Sequence, residues 1–168
     1  MTMIRSGDPR RTLLAALRPF AERDTRHLLE ADQHTPMTAF VARTREAVGV
    51  LTMPAAALVV VIEGTKEVLW GAERRTYRPG EAIALAAGSH VDVVNVPDET
   101  TGVYRALCVT FPRDLVIEAA RLWPSLSDAR AEPGTAVALD AALGSAIVHA
   151  GEALAGQAGA SRRVVEHR

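Results

Sequence analysis

The stretch that decides the fold is Glu63–Asn95, EGTKEVLWGAERRTYRPGEAIALAAGSHVDVVN. Turn residues punctuate it at short intervals: Gly64-Thr65, Gly71-Ala72, Pro79-Gly80 and Ala86-Ala87-Gly88. Between them lie segments long enough only for strands: Lys66–Trp70, Arg74–Tyr77, Ala82–Leu85 and His90–Val96. Tight hairpins need a positive φ, which glycine adopts without steric cost. Upstream, Ala57–Glu63 (ALVVVIE) is β-branched and continuously apolar, which predicts a strand covered on both faces. Downstream, Val103–Phe111 completes the series. Many short strands joined by tight turns predict a sandwich or barrel over residues 36–112.

The flanks read differently. Over 8–31, Leu13, Leu14, Leu17, Phe20 and Ala21 recur at helical steps, with Asp8 placed as N-cap and Pro9 at the first helical position. Residues 1–35 are therefore expected to form an N-terminal helical segment. Over 113–168, Asp114–Trp123 predicts one helix ended by Pro124, and Ala136, Leu139, Leu143, Ile147, Ala150 and Leu154 make the apolar stripe of a second. Gly156 and Gly159 close that helix, and Ser161 can cap a further one over Arg162–Arg168. The chain stops roughly two turns into it, and so short a helix is marginal alone. The expectation is that this chain is part of a longer polypeptide.

Composition narrows the function. The 168 residues suit one domain, 48% are hydrophobic, and the net charge is −1. A protein that grips nucleic acid unaided usually carries a basic surplus. Eighteen of the 19 basic residues are arginine, and Lys66 is the one lysine. Cys108 is the one cysteine, so no intrachain disulfide can form, as suits a cytoplasmic protein. The longest apolar run, Ala55–Ile62, is too short to span a bilayer, and no secretory signal is visible. Catalytic signatures fail: no Gly-x-Ser-x-Gly surrounds any serine, no His-Glu-x-x-His occurs, and Gln157 stands where a phosphate loop needs lysine.

The order of Gly64, Gly71, Pro79-Gly80, Ala86-Ala87-Gly88, His90 and Asn95 resembles the cupin pattern, a double-stranded β-helix or jelly-roll barrel. Metal-binding cupins carry two histidines and a glutamate ahead of the Gly64 equivalent. Here that segment is Val50-Leu51-Thr52-Met53-Pro54-Ala55-Ala56-Ala57, and only His90 remains of the usual four ligands. One imidazole does not hold a catalytic metal, so no metal and no other cofactor is expected.

The chain is also similar to the N-terminal sensor domain of AraC-type (AraC/XylS) transcriptional regulators, over roughly residues 34–125. That similarity rests on Leu58–Glu63, Gly64-Thr65-Lys66, Gly71, Tyr77-Arg78-Pro79-Gly80 and Tyr104-Arg105-Ala106-Leu107. Ser89-His90 departs from it, standing where one branch commonly has Leu-Pro. The resemblance implies a mainly β, cupin-like jelly roll with C-terminal helices. It implies a domain that senses a small-molecule effector, dimerises, and reaches DNA only through a C-terminal helix-turn-helix domain that this chain does not contain. No catalytic residue is expected. A stand-alone cupin enzyme or small-molecule-binding protein, and a barrel serving only assembly, are the other readings.

Trp70, Tyr77, His90 and Tyr104 are the candidate ligand-binding residues, each weighed against an ordinary place in the core or, for His90, at the barrel mouth. Leu139, Leu143 and Ile147 either pack on the barrel or supply a dimer face. Lys66 is read as a solvated hairpin charge or a signal-binding group, and Cys108 as a small buried hydrophobe.

Overall fold

The structure, a computed structural model, describes residues 9–22, 37–122, 136–150 and 152. The chain opens with helix α1 (Pro9–Leu17) and a 3₁₀ turn (Arg18–Ala21). Strands β1 (Met37–Ala42), β2 (Glu46–Thr52), β3 (Ala56–Glu63), β4 (Thr65–Trp70), β5 (Glu73–Tyr77), β6 (Glu81–Leu85), β7 (His90–Val96) and β8 (Tyr104–Phe111) follow. Helix α2 (Arg113–Leu122), the short strand β9 (Ala136–Ala138) and helix α3 (residues 141–150) end the described chain.

Two antiparallel sheets face each other in a jelly roll, one ordered β1-β8-β3-β6-β9 and the other β2-β7-β4-β5. The continuous apolar run of β3 has a direct structural cause. Val59 and Val61 point between the sheets, whereas Leu58, Val60 and Ile62 point the other way, beneath the helices. Both parities of the strand are thus buried, as a period of two requires when both faces are covered. Burying one such valine contributes about 1.5–3 kcal/mol. Among the described residues, sheet β2-β7-β4-β5 has only its inner face covered, and β7 accordingly alternates, with Val91, Val93 and Asn95 buried between more exposed neighbours.

The helices cover the outer face of the first sheet. Leu17 and Ala21 pack there with Leu139 and Ile147, joined by the partly buried Leu13 and Leu143. Asp140 Oδ1 accepts the Leu143 amide at 2.8 Å, satisfying an otherwise unpaired N–H of the first turn of α3. The two helices approach so closely that a Cβ on Gly144 would overlap the Leu13 side chain. The stripe Leu139–Leu143–Ile147 therefore packs within its own chain, and Leu139 and Ile147 are buried there. Ala136 does not join that helix. It pairs with Ile83 in β9, because the edge of β6 offers open hydrogen-bonding groups.

The predicted strands differ from the observed ones by one residue at most, and Asp114–Trp123 corresponds to α2. The Asp8 cap, Trp123, and the segment beyond Glu152 lie outside the described residues. The helix read over 8–31 is shorter in its described part, turning 3₁₀ at Arg18-Pro19. Proline supplies no N–H to the α ladder. Helix α2 has no buried residue, and Leu115, Val116, Ile117 and Leu122 are exposed on it.

Candidate functional site: a cavity inside the barrel

Between the two sheets lies a cavity of about 810 Å³. Its walls come from the inward-facing positions of the strands, among them Phe40, Leu51, Val59, Val68, Ile83 and Val93. The register fixes its direction. Thr52–Ala55, Thr110 and Pro112–Asp114 belong to one end of the barrel and form the mouth, where β2 turns into β3 and β8 leads into α2. Lys66 and Asn95 stand opposite each other at the other end and form the floor. The β2–β3 connection that frames the mouth is anchored to the β6–β7 turn by the Met53 amide on Ser89 O at 3.0 Å and the Gly88 amide on Met53 O at 2.8 Å.

The floor is polar and buried. Lys66 Nζ donates to Asn95 Oδ1 at 2.7 Å, and Asn95 Nδ2 donates to Glu46 Oε2 at 3.1 Å. The ammonium also lies 5.2 Å over the centre of the Tyr104 ring, within cation–π range. Lys66 is only 7% exposed and Asn95 1%. A buried ammonium needs such compensation, since an unpaired charge in an apolar interior costs several kcal/mol. Lys66 is thus an interior group, and its reading as a solvated hairpin charge is corrected. It is the second residue of β4, two positions before Val68, so both point inward.

Cys108 lines the wall. Burial pushes its thiol up to about 11, although the Lys66 charge pulls the other way. It is held as the thiol at neutral pH, which suits a packing residue rather than a reactive one.

The residues expected to contact a ligand are scattered. Tyr104 is fully buried directly under Lys66, and Tyr77 pairs in register with Lys66 and belongs to the same packed inner cluster. Neither contributes to the cavity lining. Trp70 packs against the inner cluster from the opposite end of β4. His90 is exposed at the first position of β7, with Nδ1 3.0 Å from Thr52 Oγ1. Aromatic bulk fills the barrel where the sequence pointed to a pocket, and the open volume begins above it. The residues missed as a pair are Lys66 and Asn95. Their signal was present: parity places each on the same face as apolar neighbours, and a polar group on a buried face demands a partner.

Burial pushes the Tyr104 hydroxyl well above the ordinary phenol range, reinforced by the nearby Cys108 and Glu46. That hydroxyl has no hydrogen-bond partner among the described residues. Tyr104→Phe keeps the ring under Lys66 and removes only the unpaired group. It should leave stability unchanged or raise it by about 1 kcal/mol, read from urea unfolding midpoints. A clear loss would mean that the hydroxyl is bonded in solution.

The donor set among the described residues does not fit a metal of the kind that metal-binding cupins hold. Among the described residues, no group of three or more His, Cys, Asp or Glu side chains could hold a metal ion. Nor is any described helix long and apolar enough to cross a membrane.

Comparison with protein families and with curated proteins finds no match. Solved structures do match. ToxT from Vibrio cholerae superposes with a TM-score of 0.54 at 7% identity, over 68% of this chain and 46% of ToxT. A cupin superfamily protein from Desulfitobacterium hafniense gives 0.38 at 13% identity, over 45% of this chain and 64% of that one. A protein of unknown function from Rhizobium leguminosarum gives 0.39 at 22% identity, over 48% and 74%. The chain thus spans less than half the length of ToxT. These likenesses concern the fold.

Proposed function

We propose that this chain is the small-molecule-sensing domain of an AraC-type transcriptional regulator. The observation that carries the reading is the 810 Å³ cavity, walled by apolar side chains and floored by the buried Lys66–Asn95 pair. A ligand pocket of this kind combines apolar walls with a few placed polar groups, and its volume lies in the range that small effectors need. A barrel serving only assembly would gain stability by filling that space. The order of hairpin motifs from Leu58 to Leu107 supports the regulator family, and the ToxT superposition supports the fold.

The proposed mechanism is a shift of population. An effector seated on the floor contacts β4 and β7, while its far end meets Pro112–Asp114, where β8 becomes α2. A ligand that binds one placement of α2 more tightly shifts the chain toward it, by no more than its difference in affinity. In this reading α2 and the helices beyond it relay occupancy to a dimer partner and to a DNA-reading domain elsewhere in the polypeptide. The site is assigned no catalytic step.

The test uses prodan, an uncharged naphthyl ketone whose fluorescence shifts to the blue in apolar surroundings. The protein should bind it with a saturable blue shift. Cys108→Phe should weaken binding at least about tenfold by placing a ring in the cavity, with the unfolding midpoint nearly unchanged because open volume receives the ring. Absence of a saturable shift, or equal binding by the filled variant, would remove the cavity as the site.

A further inference from the structure

The strands that wall the cavity set its width, and the width restricts the body of what it can hold. This step rests on the reading of the cavity as the ligand site. Four adjacent strands of the first sheet, β1, β8, β3 and β6, contribute Phe40, Cys108, Val59 and Ile83. Three adjacent strands of the second, β2, β7 and β4, contribute Leu51, Val93 and Val68. The cavity therefore spreads across the strands as well as running along them. Neighbouring strands lie about 4.8 Å apart, so β2 to β4 is about 10 Å across. From Val91 to Asn95 on β7, both in the lining, the strand rises about 13 Å. An open volume of about 810 Å³ over that area leaves a thickness of about 6 Å between the two walls. The space is a flat slot rather than a tube.

The charged lining groups stand at the ends of the slot, Lys66 at the floor and Arg113 and Asp114 at the mouth. Between them the walls are mainly aliphatic, so the body of a ligand meets apolar contact whichever polar group it turns toward either end. A single extended chain would touch one or two strands of each wall and forfeit the dispersion contacts of the rest. It would also lose rotamer freedom on binding, whereas a fused-ring body is already rigid. A globular cage would press the walls apart before it reached the edges of the slot. We infer that the cavity takes a flat, mainly apolar fused-ring molecule, lying with its faces against the two sheets.

Three uncharged alcohols of comparable hydrophobicity separate the shapes by competition against prodan: phenanthrenemethanol (flat), nonanol (chain) and adamantanemethanol (cage). The hydroxyl is common to all three, so the polar ends of the cavity do not set the ranking. The flat alcohol should bind about tenfold tighter than either of the others. Val93→Leu adds a methylene to the middle of one wall and thins the slot. It should weaken the flat alcohol at least about fivefold and leave nonanol within about twofold, because a chain can pass beside the added group. Should that variant fail to fold, the ranking by the unaltered protein still decides. Nonanol binding as tightly as the flat alcohol would overturn the breadth of the slot as the selecting feature, and the cage binding as tightly would overturn its flatness. Either result leaves the cavity reading intact, since the compound displaces prodan. Failure of prodan and of all three alcohols to bind would overturn both.

Discussion

Gly64→Ala should be the most damaging single-methyl change in the protein, lowering unfolding free energy by about 3 kcal/mol or more. Gly64 joins β3 to β4 and so carries the chain from one sheet to the other. Its φ is +75°, where an L side chain is strained. A Cβ there would also overlap the carbonyl oxygen of Val96 and lie 3.2 Å from Asp98 N and Tyr104 Cα. All three are backbone atoms, held by the β4–β7 ladder and the start of β8, so no flexible side chain can move aside. Gly71→Ala supplies the control. Gly71 also has a positive φ, +60°, but a Cβ there meets nothing within 4 Å. Its cost should be conformational alone, about 1 kcal/mol. Equal losses in the two variants, measured by urea unfolding, would mean that the crowding at Gly64 relaxes freely.

Glu63→Gln should cost about 2–3 kcal/mol at neutral pH and progressively less in acid. Glu63 ends β3 and is 8% exposed. Its Oε2 accepts from Arg18 Nη2 at 2.7 Å and from Arg105 Nη1, which ties the turn after α1 to the sheet it covers. The Arg105 side chain is 16% exposed and the Arg18 side chain 50%. Removing the carboxylate leaves Arg105 as a mostly buried charge without that partner, and this is the larger part of the loss. Arg18→Gln should cost under about 1 kcal/mol, because solvent screens an exposed partner. Burial pushes the Glu63 carboxyl up, but hydrogen bonds from Thr101, Arg18 and Arg105 outweigh it and hold the carboxyl below the ordinary range. A carboxyl depressed on folding stabilises the protein above its unfolded pKa, about 4.3 for glutamate. That contribution disappears as pH falls through the lower folded value. The gap between unaltered protein and Glu63→Gln should therefore be constant at neutral pH and narrow in acid. A gap independent of pH down to full protonation would show that the carboxylate charge is not what stabilises the clasp.

Both predictions concern positions that the residue string marks unequally. Gly64 is conspicuous in it, since a glycine between an apolar run and a returning strand is a turn whatever lies around it. Nothing in the string says that Val96 and Tyr104 crowd that glycine, because both arrive from distant segments. Glu63 closes the strongest strand, but its partners lie 45 and 42 residues away. The opening strands β1 and β2 were legible only as part of a β region. β2 alternates partly exposed and exposed positions without a run of buried ones, and its pairing with β7 shifts register between Ala47 and Gly49.

The candidate site divides in the same way. Local chemistry sufficed for the β character of residues 37–111, for the turns and for the doubly covered β3. Each depends on residues that are neighbours along the chain or on the period-two alternation of a strand. Where the barrel is filled and where it is hollow depends on side chains from β3, β4, β7 and β8 meeting in one layer. Tyr77 and Tyr104 packed below the floor, Lys66 and Asn95 upon it, and His90 left outside are outcomes of that register. Volume left over between two sheets belongs to no single segment, so only the assembled fold could place it.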